Sequence, residues 1–119
     1  MGKVATDGMI DGGLDKVITC TTLTVCAGEP TSIGDITTKA LASVVVDGAD
    51  FTKAAGDVSG RKAIVGQQTN IPIIATGTAD HVVIDDGVDY EVTTATAQLL
   101  TSGGTVTVPA WDIEIADPV

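Results

Sequence analysis

Aromatic side chains, bases, histidine and cysteine are all scarce in this chain, and each scarcity removes a class of function. Of the 119 residues, only Phe51, Tyr90 and Trp111 are aromatic. The interior must be assembled from many small aliphatic contacts, and a glycan cleft built on aromatic platforms is disfavoured. Six bases stand against 16 acids, for a formal net charge of −10. A basic stripe able to neutralise a phosphate backbone is lacking, so no nucleic acid is expected as a partner. An anionic membrane surface is disfavoured on the same ground. No apolar run approaches the length that crosses a bilayer. Met1 to Ile10 carries Asp7 and has no apolar stretch, unlike a secretory leader. A soluble protein made in a cytoplasm is the expectation.

The single histidine, His81, is the only side chain able to serve a Ser-His-Asp arrangement. Its neighbour Asp80 would point to the opposite face of a regular strand, so the two are not expected to pair. No G-x-S-x-G elbow exists. His81 is read as a strand residue with a hydrogen-bond partner, and no catalytic residue is assigned. Cys20 and Cys26 do not have C-x-x-C spacing. Along a strand they would stand roughly 20 Å apart at about 3.3 Å per residue, beyond the reach of a disulfide. Two reduced structural thiols are expected. One histidine and two distant cysteines do not make a zinc set. Asp85, Asp86, Asp89 and Glu91 offer oxygens to a calcium ion but do not follow the EF-hand pattern, and a solvated turn is the reading preferred. Gly103 and Gly104 precede no lysine and are no phosphate loop. No metal and no cofactor is assigned. Carboxylate pairs for glycoside hydrolysis meet only in three dimensions and are invisible to spacing.

What the chain does have is β-branched residues. Val, Ile and Thr together make 44 of the 119, and such side chains suit a pleated sheet better than a helix. Residues 1–6 read as a flexible arm. Residues 7–18 read as a short helix, with Ile10, Leu14, Val17 and Ile18 on one side and Asp7 as its cap. Three glycines weaken it, so packing must hold it. Thr21 to Ala27 alternates as a strand, with Leu23 and Val25 on one face. Ile33 to Thr38 reads as an edge or loop. Ala40 to Val46 reads as a strand covered on both faces through Val44, Val45 and Val46. Asp47 to Gly60 reads as a long loop pinned by Phe51.

Arg61 to Val65 begins the next strand, which Gly66 interrupts. Pro72 confines Ile71 to Ala75 to an edge or irregular position. Ala79 to Asp85 and Val88 onward form a hairpin about Asp85-Asp86-Gly87, and its second strand extends to Leu100. Val106 and Val108 share one parity, whereas Trp111, Ile113 and Ile115 share the other. One extra residue at Pro109 and Ala110 is therefore expected, as a bulge or kink. Trp111 falls on the inward side, as a core residue or, alternatively, an interface anchor. Six to eight short strands make an all-β protein, a single-domain antiparallel β-sandwich or barrel with a short N-terminal helix.

Five segments resemble small proteins encoded in the structural-gene clusters of tailed bacteriophages. They are Leu23-Thr24-Val25-Cys26-Ala27-Gly28-Glu29-Pro30, Ser59-Gly60-Arg61-Lys62, Ala75-Thr76-Gly77-Thr78-Ala79-Asp80-His81, Leu100-Thr101-Ser102-Gly103-Gly104-Thr105, and Trp111-Asp112-Ile113-Glu114-Ile115. The similarity spans nearly the whole chain, and its specificity lies in the order and spacing of the segments. The resemblance implies a non-enzymatic virion structural protein, first of all a capsid decoration (cement) protein. Such proteins bind the outer shell where major capsid subunits meet, often as trimers, so the implied partners are the major capsid protein and neighbouring copies. The implied location is the capsid surface of a virion made in a bacterial cytoplasm. A tail, fibre or head–tail accessory protein is the alternative within the class. A β-sandwich carbohydrate-binding module is the alternative outside it.

Overall fold

The computed structural model describes residues 14–57 and 60–115. The arm over residues 1–6 and the Asp7 cap lie outside them. The expected first helix is described over 14–18, here α1. Leu14 at its start is fully buried, and Val17 and Ile18 pack on the main core.

Strand β1 (Thr22–Cys26) lies between β2 (Ala40–Val45) and β6 (Gly77–Asp85), and β7 (Tyr90–Leu100) completes an antiparallel sheet in the order β2-β1-β6-β7. Strands β3 (Phe51–Ala55), β4 (Arg61–Val65) and β9 (Trp111–Ile115) form a second sheet, and β5 (Gln68–Pro72) pairs with β8 (Thr105–Val108). One core cluster draws on all three sheets: Leu23, Val25 and Ile84 from the first, Phe51 and Val65 from the second, Ile71, Val106 and Val108 from the third. The antiparallel, sandwich-like all-β fold expected from the β-branched composition is thus the one observed.

The strand–turn reading needs four corrections. Residues 33–38 are not an edge or loop: Ile33–Lys39 is helix α2. The Ser32 hydroxyl accepts the Asp35 N–H at 3.1 Å, closing the first turn. Asp35 accepts the Thr31 N–H at 3.0 Å and pairs with Lys39 one turn on. Ile36 is the buried residue, set against Cys26 and Val83 in a small second core.

Residues 47–60 are not one long loop. Asp47 and Asp50 cap each other's backbone around the short 3-10 turn Gly48–Asp50. The chain then pairs in register with β4, from Phe51 opposite Val65 to Ala55 opposite Arg61. Phe51 is buried, as a strand residue rather than a loop pin. Gly66 ends β4 by donating its N–H to the Asp50 carbonyl at 2.7 Å.

The valine run is not covered on both faces. Val46 is buried and Val44 half-buried, but Val45 is 81% exposed on the outer face of an edge strand.

Finally, the parity change at Pro109 is not a bulge inside one strand. Strand β8 pairs with β5 and β9 pairs with β4, so the chain passes from one sheet to another across Pro109 and Ala110. Proline suits that junction because it has no N–H to give to a ladder.

Leu23 shows no exposed surface at the middle of the central strand. Leu23→Ala should lower stability by about 3 kcal/mol, as truncation of a fully enclosed leucine does. Val45→Thr should change it by less than about 0.5 kcal/mol. Urea unfolding of both variants followed by circular dichroism checks the pair.

Candidate interaction surface

A cleft of about 310 Å³ opens between β7 and the β8–β9 segment. One wall is Thr93, Thr94, Ala95, Thr96, Gln98 and Leu100, and the other runs from Val106 to Trp111. Val25, Ala79, His81 and Val82 line the rest. Its size is at the small end for ligand sites. The lining carries no carboxylate and no lysine or arginine. Trp111 packs partly against the core, as its parity implied, and also borders this cleft. Among the described residues its buried indole Nε1 has no hydrogen-bond partner, which is costly for a donor removed from water.

His81 lies at the edge of the cleft. Contrary to expectation, it pairs with its neighbour, Nδ1 standing 2.7 Å from Asp80 Oδ1. The reason is a local change of face. Ala79 and Val82 both reach the main core although three residues apart, whereas a regular strand would oppose them. The β6–β7 register shifts between Ala79 and His81, so the alternation that should separate Asp80 from His81 fails there. Asp80 Oδ1 also accepts the Gly28 N–H at 2.7 Å. Gly28 has φ of +88°, a conformation that glycine adopts without strain. The carboxylate thus ties the β1–α2 turn to β6, and its pKa is lowered chiefly by the His81 hydrogen bond, then by Gly28. A base with an orienting acid is two parts of a nucleophilic triad. Among the described residues, no hydroxyl or thiol is hydrogen-bonded to His81.

The acidic hairpin is organised by its own backbone and a lysine. Asp86 Oδ1 accepts the N–H groups of Val88 and Asp89 at 2.9 and 2.8 Å, and Asp85 accepts that of Gly87 at 3.0 Å. Lys16 of α1 stands 2.6 Å from Asp86 and 3.2 Å from Asp89. Among the described residues, no group of three or more histidine, cysteine, aspartate or glutamate side chains could hold a metal ion. The Lys16 ammonium, then the two backbone donors, hold the Asp86 carboxyl well below the usual carboxylate range. Glu91, read as part of a solvated turn, is half-buried, and that burial raises its pKa.

The other described lysines are also engaged by acids: Lys39 by Asp35, Lys53 by Asp15 at 2.7 Å, and Lys62 by Asp57 and Asp112 at 2.7 and 3.2 Å. Cys20 and Cys26 are free and buried. Burial first, and nearby carboxylates second, push both thiols up to about 11. They are protonated and weakly nucleophilic at neutral pH.

Asp86 and Glu91 should affect acid stability with opposite signs. The depressed Asp86 pKa stabilises the fold above the unfolded value of about 3.9 and loses that contribution as pH falls through the folded pKa. The raised Glu91 pKa costs stability above its folded value, and the cost is relieved as pH falls through that value toward about 4.3. Asp86→Asn should therefore lower the melting temperature at pH 7 and flatten its acid decline. Glu91→Gln should raise the melting temperature at pH 7 and converge on the parent below about pH 4. Thermal melts between neutral and strongly acid pH separate the two.

No family model matches the chain, and neither a curated protein nor a solved structure does so.

Proposed function

We propose that this chain is a non-enzymatic bacteriophage virion protein that binds the outer capsid surface as a decoration, or cement, protein. The observation that carries this reading is the ordered series of five phage-like segments from Leu23 to Ile115. They fall on β1 and its turn, the entry to β4, the start of β6, the β7–β8 turn and β9.

A cement protein must be rigid and self-contained before it meets the shell. A core shared by three sheets and lysines spent on internal ion pairs are consistent with that task. Binding the assembled shell but not its dissociated subunits stabilises the shell by mass action. Repetition of the site over the particle lets modest contacts act together. The carbohydrate-module alternative has less support. Phe51 is buried, Trp111 is partly packed on the core, and Tyr90 is only 37% exposed.

Purified particles of the encoding phage provide the test. The protein should be present in fixed ratio to the major capsid protein, with density on the outer shell in electron microscopy. Its deletion should lower the temperature at which particles release DNA. Absence from the particle rejects the proposal. A few copies at one vertex or along the tail would instead identify a tail or head–tail accessory protein.

A further inference from the structure

The sheet edges are not equally protected. The outer edge of β2 is covered at Leu41 and Ala42: Ile74 donates its N–H to the Leu41 carbonyl at 2.8 Å, and Ala42 bridges to Ile73. Strand β3 carries Lys53, β9 carries Asp112 and Glu114, β5 ends on Pro72, and β8 has four residues. Charge, proline, shortness and cover are the usual means of preventing edge-to-edge pairing.

Strand β7 has almost none of them. Among the described residues it is the longest strand, at 11 residues, and β6 is its only partner. Thr94 to Leu99 are all exposed, so neither face of this stretch is packed. Its blunting devices are Glu91 near its start and the register shift opposite Asp80. The shift leaves Ala95, Thr96 and Ala97 opposite Asp80 alone, and none of the three carries a charge. From Val92 to Trp111 the chain carries no charge, its longest such run. In a chain of net charge −10, a second copy can approach closely only where the seam holds no like charges.

From this we infer that the open edge of β7 pairs with β7 of a second copy, antiparallel about a twofold axis. A strand is self-complementary in that arrangement, as a twofold interface requires. The seam would join two four-stranded sheets into one of eight. A single strand edge is a small interface, so the association is weak and reversible. The inference is independent of the capsid reading, since the isolated chain is its whole test.

Sedimentation of the purified protein from low micromolar to near-millimolar concentration should show a monomer–dimer equilibrium. Thr96→Lys should raise the dimer dissociation constant by about tenfold or more, although it lowers the net negative charge and so weakens general repulsion. Val45→Lys makes the same charge change at an exposed side chain of β2 and should leave the dimer intact. Ala97→Lys is the second edge variant, and circular dichroism establishes that each variant is folded. A parent that stays monomeric throughout overturns the inference. So does a dimer that survives both edge variants, or one abolished by Val45→Lys instead.

Discussion

The structure depends on the burial of β1 on both faces. Leu23 and Val25 enter the main core, while Cys26 meets Ile36 and Val83 on the other side. Thr24, between them, is also buried. Each residue of β1 has a partner on β2 and on β6, so its backbone leaves the solvent with its hydrogen bonds made. Helix α2 is required by this arrangement. Without Ile36 above it, Cys26 would lie under an open sheet face. The Asp80 carboxylate fixes the turn that leads from β1 toward that helix.

A shortage of bases gives the electrostatics their form. Each described lysine is committed to aspartates, and most of these pairs link separate elements: Lys16 joins α1 to the hairpin, Lys53 joins α1 to β3, and Lys62 joins β4 to β9. Exposed pairs of this kind are individually weak. Their structural effect is to leave the protein with an acidic exterior and no concentration of free lysine. Polyanions are poor partners for such a surface, and attraction to a basic protein surface remains open to it.

Strands with clear punctuation were legible in the sequence. The alternation around Leu23, the Asp-Gly turn and the β7 extension to Leu100 all appear where the pattern placed them. Two elements were hidden because their signals are short-range and mixed. In α2, Gly34 and four β-branched residues oppose the Ser32–Asp35 cap, and one buried contact decides the outcome. In β3, only Phe51 is buried, so no alternation marks the strand. The Asp80–His81 pair was missed for a different reason. A period-two argument assumes a regular strand, and the register shift between Ala79 and His81 breaks that regularity at Asp80. The cleft was not legible at all. Its walls are uncharged residues drawn from four parts of the chain, and none has a chemical signature alone.

The passage of the chain across Pro109 also constrains when the protein can fold. Strand β8 closes onto β5 and β9 onto β4, each across about 35 to 50 residues of intervening sequence. Two of the three sheets are therefore incomplete until the last strands have left the ribosome. Long-range closures of this kind are slow. The nascent chain must carry the open edges of β4 and β5 until β8 and β9 have been made.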